Sequence, residues 1–237
     1  ASVQAQKSQV IAHRGYWKTA GSAQNSITSL QKADSIHCYG SEFDVWLAKD
    51  NKLVVNHDPV YKMKYMEYSK GDALTGLKLS NGENLPSLQK YLEAGKKCNT
   101  KLILELKAHN SKKRETKAVQ EILAMVKKMG LEDRMEYITF SLHAMKEFIR
   151  LAPAGTPVFY LNGELSPKEL KDLGAAGLDY HMGVIKKHPE WIKEAHDLGL
   201  KVNVWTVDKA EDMKWLIDQK VDFIATNEPI VAQDMLK

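Results

Sequence analysis

The chain has 237 residues, with 43% hydrophobic and 27% charged side chains, the balance of a globular protein long enough for a sizeable core. Net charge is only +4, and the one basic cluster, Lys112-Lys113-Arg114, opens an amphipathic stretch where a solvated face is expected, so nucleic acid is not an expected partner. No apolar run reaches the length of a membrane span, which argues against stable membrane insertion, and Cys38 and Cys98 are too few for a disulfide framework and lack metal-site spacing.

The opening "ASVQAQKSQ" is polar, and Val3-Gln4-Ala5 fits the small-residue pattern of a signal-peptide cleavage site. Residues 1–8 are therefore expected to be a flexible lead-in, and the protein to be exported. The alternative is a cytoplasmic protein whose first residues are a cloning scar or a disordered start.

From residue 9 onward, short β-type runs alternate with helical patterns. The runs are Val10-Ile11-Ala12, Glu42 to Val45, Leu102 to Leu106, Tyr137 to Phe140, Val158 to Leu161, Leu178 to His181, Val202 to Trp205 and Phe223 to Ala225. Amphipathic stretches lie near 26–38, 86–96, 112–129, 142–151, 166–175, 189–198, 209–219 and 228–236. Such alternation argues for a parallel sheet with helical crossovers. Eight units without an internal linker predict an α/β fold, a single (β/α)8 TIM barrel over 9–237.

Leu53-Val54-Val55 is also strand-like, but only "KDNK" separates it from the second run. Four residues suit a hairpin and are too few for a parallel crossover. The segment from about 46 to 85 is thus expected to be an insertion at the C-terminal end of the second strand. Its hairpin comes first, followed by a long excursion over 59–85 that acts as a lid or binding element or is mobile.

In such barrels the C-terminal strand ends form the active face. There the first strand delivers His13-Arg14-Gly15, and the second delivers Glu42 and Asp44, which share a face because strand side chains alternate. The hairpin returns His57, and the third barrel strand supplies Glu105 and Lys107. Ser141, Asn162, His181, Trp205 and Asn227 stand at the same level on later strands. Three converging carboxylates repel unless a cation sits between them, and oxygen-only ligation favours Mg²⁺ or Ca²⁺. Arg14 and Lys107 suit a phosphate, and His13 and His57 suit a general acid and base. Together these groups equip a site for phosphoester cleavage. Each has a plainer reading: a hydrogen-bonded structural histidine, a solvated Glu-x-Asp pair, a Glu105–Lys107 ion pair along one strand. Their common position at one end of consecutive strands favours the site.

These residues resemble the glycerophosphodiester phosphodiesterase family, whose fold is a TIM barrel. "IAHRG" is similar to its His-Arg-Gly opening, and "SEFDVWLAKDNKLVVNHDP" to its Glu-x-Asp and His-Asp segment. "LPSLQKYL", "LILELK", "VNVWTVD" and "VDFIATNEP" extend the likeness nearly end to end. The resemblance implies hydrolysis of glycerophosphodiesters, the deacylated head groups of phospholipids, to an alcohol and glycerol 3-phosphate. It implies His13 and His57 as acid and base, and Glu42, Asp44 and Glu105 as ligands of a divalent ion. It also implies Arg14 and Lys107 on the phosphate, Trp205 on the alcohol portion, and a cyclic phosphate formed by attack of a glycerol hydroxyl.

Two departures stand out. Gln24-Asn25-Ser26 replaces the family's usual Glu-Asn-Thr, removing a charge expected near the metal, and Asn227 stands where Asp is more usual. They favour one alternative, a catalytically weak phosphate-ester-binding barrel. A phosphosugar isomerase or aldolase is a further alternative, but the last strands, "VWTVDKAED" and "IATNEPIV", lack a glycine-rich phosphate cradle.

Overall fold

In "GSEFDVWL" every residue is buried, and its alternation shows how the sequence divides two cores. Phe43, Val45 and Leu47 pack outward beneath helices, while Glu42 and Asp44 point the other way, toward the barrel interior. Strand Lys101–Leu106 repeats the pattern, with Leu102, Leu104 and Leu106 outside and Ile103 inside. Strands buried on both faces read as near-continuous apolar runs, so the inward carboxylates are the exceptions.

The computed structural model describes residues 7–237. In chain order its elements are β1 (Gln9–Ala12), α1 (Ile27–Ser35), β2 (Gly40–Leu47), β3 (Leu53–Val55), β4 (Val60–Tyr61), β5 (Lys64–Tyr65), α2 (Gly71–Thr75) and α3 (Leu88–Lys96). Then come β6 (Lys101–Leu106), α4 (Lys112–Lys128), β7 (Met135–Thr139), α5 (Leu142–Leu151), β8 (Val158–Tyr160), α6 (Pro167–Leu173) and β9 (Gly177–His181). The chain ends with α7 (Met182–Lys187), α8 (Glu190–Asp197), β10 (Lys201–Trp205), α9 (Ala210–Asp218), β11 (Phe223–Thr226) and α10 (Pro229–Met235). Parallel pairing runs β1-β11-β10-β9-β8-β7-β6-β2 and closes through β1–β2, giving the eight-stranded TIM barrel expected from the alternation. Among the described residues no helix is long and apolar enough to cross a membrane. Val3-Gln4-Ala5 lies outside the described residues. Ser8, assigned to the lead-in by sequence, is buried and donates its hydroxyl to the carbonyl of Val221.

The helices start where serines permit. Ser26, Ser87, Ser111, Ser141 and Ser166 each accept a backbone N–H three residues on, satisfying one of the orphan donors of the first turn. Between helices and strands lies the main apolar core. Inside the barrel a smaller one forms the floor beneath the mouth, from Ile11, Ile103, Ile138, Phe159, Leu161 and Phe223. Cys38 and Cys98 are free and buried, with burial pushing their thiols up to about 12 and about 11.

At Gly177 two strands approach too closely for any side chain. A Cβ there would stand 2.0 Å from the carbonyl oxygen of Lys201, a backbone atom of the neighbouring strand. Gly177→Ala is expected to cost about 3 kcal/mol or more, because the ladder itself must part. Urea unfolding measures this, and a loss below about 1 kcal/mol would contradict the close approach.

Below the barrel, the Asp222 carboxylate accepts the Val202 N–H at 2.7 Å and meets Nε2 of His196 at 2.8 Å. The hydrogen bond to Asp222 raises the His196 pKa. A raised histidine contributes stability that is full below the unfolded value near 6.5 and is lost as pH rises through the folded value. His196→Ala should therefore lower the melting temperature more at pH 6 than at pH 9. Equal losses at both would remove His196 from the pH dependence.

The excursion is ordered by its own small core. The β2–β3 turn is set by Asn51 at φ 66°, with its N–H on the Ala48 carbonyl, and β3 lies antiparallel on β2 as expected. Arg114, read by sequence as a solvated charge, holds that turn by donating to the carbonyls of Ala48 (2.6 Å) and Leu47 (3.3 Å). Trp46 and Val54 then pack with Met66, Leu74, Leu79 and Leu85, which covers the far side of the hairpin. The β4–β5 hairpin and α2 occur within the 59–85 excursion, where no periodicity marks a division.

Candidate active site

β1 ends in a tight turn that aims two groups at the mouth. Arg14 and Gly15 adopt positive φ, 58° and 76°, and the Gly15 N–H returns to the Ala12 carbonyl. A Cβ at Gly15 would lie 2.1 Å from Oγ of Ser29, so only glycine fits. The turn presents the Arg14 N–H to Oε2 of Glu42 at 2.8 Å, tying the end of β1 to a carboxylate of β2.

Glu42, Asp44 and Glu105 are buried, and each offers an oxygen within 4.8 Å of the others. The register explains the cluster: Asp44 sits directly beside Glu105 across the β2–β6 pair, and Glu42 lies two residues earlier on the same face. Burial, then the charges of Asp44 and Glu105, pushes the Glu42 carboxyl well above its ordinary range. Glu105 is pushed up to about 8 by burial and by Asp44, against the pull of Lys107. Burial also acts to raise Asp44, but Lys107, the Glu42 carboxyl and His57 outweigh it and hold Asp44 below the usual range. Burial lowers Lys107, yet Glu105 and Asp44 leave it above its ordinary value. Its Nζ stands 2.9 Å from Oε2 of Glu105, so the ion pair along the strand exists within the cluster. Three buried carboxylates facing one lysine are too crowded to ionise together unless a hard divalent ion joins them, so these residues fit such an ion.

The two histidines reach the mouth by different routes. The His13 N–H binds the Thr226 carbonyl, and its Nδ1 lies 2.9 Å from Oδ1 of Asn227. That oxygen also accepts the Trp17 indole N–H at 2.8 Å, while Nδ2 of Asn227 donates to Asp208 at 3.0 Å. Asn227 is thereby fixed as an acceptor, which places the proton of His13 on Nδ1 and leaves Nε2 free. Burial, then Arg14, lowers the His13 pKa and keeps the ring neutral. His57 follows β3 with its Nδ1 2.6 Å from Oδ1 of Asp58, which likewise turns Nε2 outward.

His13, Arg14, Glu42, His57, Glu105, Lys107 and Trp205 line one cavity of about 190 Å³, and Asp44 completes the carboxylate cluster at its wall. Trp205 is held by its indole N–H on the Asp179 carbonyl (2.9 Å) and packs edge-on against Phe140. Three strand-end residues do not join them. Ser141 caps α5 and donates to Glu115, Asn162 bonds Glu164, and His181 caps α7. Gln24 accepts from Nη1 of Arg14 at 2.7 Å and lines a second, outer cavity. The group on Asp44 is Asn25, buried, with Nδ2 on Oδ2 of Asp44 (3.0 Å) and Oδ1 accepting the Asp44 N–H (3.2 Å). In the sequence Asn25 is only the middle of a motif and Asn227 only a lost charge, although Asn227 orients His13.

A closed barrel with this equipment at its strand ends defines a TIM-barrel enzyme of the phosphoric diester hydrolase class. Residues 13–231 match the family model of the glycerophosphoryl diester phosphodiesterase family, and the chain belongs to that family. A crystal structure of a glycerophosphodiester phosphodiesterase from Parabacteroides distasonis is 52% identical and superposes with a TM-score of 0.96 over 98% of each chain. A glycerophosphodiester phosphodiesterase from Caldanaerobacter subterraneus subsp. tengcongensis is 27% identical over 238 residues, covering 94% of this chain and 95% of its own. The structure of an Oleispira antarctica phosphodiesterase in complex with its product sn-glycerol-3-phosphate shares the fold, with a TM-score of 0.82 at 22% identity over 96% of each chain.

Proposed function

We propose that the chain hydrolyses glycerophosphodiesters to an alcohol and glycerol 3-phosphate, with a divalent ion, Mg²⁺ or Ca²⁺, held by Glu42, Asp44 and Glu105. The observation that carries this reading is the convergence of both histidines, the carboxylate cluster and both cations on one cavity. The product bound by the Oleispira relative agrees with it. When bound, the ion supplies electrophilic stabilisation of charge on the phosphoryl oxygens.

The residues of the chain supply the remainder. Arg14 and Lys107 hold the phosphate and offset negative charge as it builds. A glycerol hydroxyl, already tethered to the phosphate, attacks phosphorus with little orientation entropy left to lose. Neutral His13 takes the hydroxyl proton at Nε2, and His57 delivers one to the departing alcohol oxygen. The cyclic phosphate is then opened by water with the two histidines in reversed roles. Trp205 packs against the alcohol portion. Gln24 and Asn227, which favoured a binding-only barrel, instead support Arg14 and His13.

Release of glycerol 3-phosphate from a panel of glycerophosphodiesters, with Mg²⁺, Ca²⁺ or EDTA, tests the proposal. Metal-dependent release that EDTA abolishes is expected. Absence of release from every member with either ion would overturn it.

A further inference from the structure

The excursion carries a surface that neither its own core nor the barrel mouth uses. Met66 is fully buried, but Tyr65 beside it is 55% exposed, Tyr68 is 66% exposed, and Met63 at the apex of the β4–β5 hairpin is 93% exposed. The apex runs against local preference. Lys62 and Met63 both stand at positive φ, 45° and 67°, where a two-residue turn ordinarily takes Asn or Gly. The hairpin is also held firmly in this position. The Met66 N–H meets the Pro59 carbonyl at 2.8 Å, the Tyr61 hydroxyl donates to the Lys78 carbonyl at 2.7 Å, and Nδ2 of Asn110 donates to the Tyr68 hydroxyl at 2.6 Å. Because Asn110 leads into α4, the basic cluster at the start of that helix lies beside Tyr68. Arg114 of that cluster is taken up by the β2–β3 turn, but Lys112 and Lys113 are exposed, as are Lys62 and Lys64. Among the described residues no carboxylate pairs with any of these four lysines. Glu67, the acid of this stretch, accepts the Asn110 N–H at 3.1 Å.

We infer that the hairpin apex and the start of α4 together form a face that docks reversibly on an anionic lipid surface. Met63 enters the interface and leaves water, while the two tyrosines sit at head-group level with their hydroxyls wet. The four unpaired lysines complement the charge of lipid phosphates and can reach them on flexible stems. A protein partner fits the same face less well. A convex apex of a few residues falls far short of the roughly 800 Å² a side that a standard interface buries. β4 and β5 are two residues each, too short an edge to accept an added strand. A bilayer needs neither a broad patch nor a groove. Docking also bears on the mouth, because Tyr61, directly before the apex, lines the outer cavity together with His57. The rim of that cavity is thereby carried to the lipid surface.

Co-sedimentation of the full chain with vesicles tests this, using phosphatidylcholine alone and phosphatidylcholine mixed with phosphatidylglycerol. The chain should bind the mixed vesicles at least about tenfold more tightly than the neutral ones, an advantage that high salt removes. Replacing Lys62 and Lys64 together by glutamine should weaken that binding about 25-fold, roughly fivefold for each lysine. Met63→Ser should weaken it by at least about tenfold, the scale of one methionine side chain leaving water. Neither change should alter the melting temperature, because these side chains are exposed. Vesicle binding needs no substrate, so its outcome is separate from that of the proposed hydrolysis. A second measurement does not depend on losing affinity. Cys38 and Cys98 are buried, so an environment-sensitive dye on Met63→Cys labels the apex alone, and it should brighten with the mixed vesicles. Absence of binding to mixed vesicles, equal binding to both compositions, or binding that both variants leave intact would overturn the inference. So would a dye that stays dark while the chain binds. A concentration-dependent dimer that Met63→Ser dissolves, in a chain that ignores vesicles, would overturn it too and make the face a contact between copies.

Discussion

His13→Ala lowers kcat by about 10²- to 10⁴-fold, the usual contribution of a placed proton carrier, with the fold and the metal requirement retained. The expectation rests on the free Nε2 of His13 at the wall of the cavity and on burial, which keeps the ring neutral and able to accept a proton. Asn227→Ala offers a finer version of the same experiment. It leaves the imidazole in place but frees Nδ1 to exchange tautomers, so kcat should fall by roughly tenfold or more with little change in KM. If turnover survives undiminished in His13→Ala, the proton is carried elsewhere. If Asn227→Ala changes only KM, Asn227 positions substrate and not the histidine.

The second large effect concerns charge in the mouth. Without metal, Glu42 and Glu105 have raised pKa values, Glu105 to about 8. Such groups stabilise the fold below their unfolded values and withdraw that stability as pH rises through the folded ones. The protein in EDTA should therefore lose stability between about pH 5 and pH 8. Divalent metal should reverse the loss, adding about 2.7 kcal/mol at a hundredfold excess over Kd. Glu42→Gln removes one of the crowded carboxylates, so in EDTA at pH 8 it should melt above the wild type. It should also gain less from metal, and need at least about tenfold more ion for half-maximal activity. Thermal melts with and without the ion measure all of this. A variant that melts below the wild type in EDTA yet keeps the full metal gain would place the ion elsewhere.

Much of the fold could be read directly because its strands are buried on both faces. Val10-Ile11-Ala12 or Leu102 to Leu106 stand out as apolar runs, and serine caps mark the helix starts between them. The short elements escaped for the opposite reason. β4 and β5 come from "VYKMKY", whose side chains are exposed or half-buried, so no periodicity marks them. α7 follows β9 without a loop and reads as its continuation.

In the site, strand parity located the residues that sit on the same strand, as with Glu42 and Asp44. What parity cannot show is a partner brought from far along the chain. Asn227 meets His13 across 214 positions, and Arg114 reaches the Ala48 carbonyl across 66. Gln24 illustrates the cost of reading charge without geometry, since its amide oxygen faces Arg14 at 2.7 Å.

Phosphorus NMR of a glycerophosphodiester incubated with the metal-loaded protein tests the central claim most directly. The diester resonance should give way to that of glycerol 3-phosphate through a transient cyclic glycerol phosphate, and both steps should slow when His57 is replaced by alanine. A diester resonance unchanged with Mg²⁺ and with Ca²⁺ would contradict the claim.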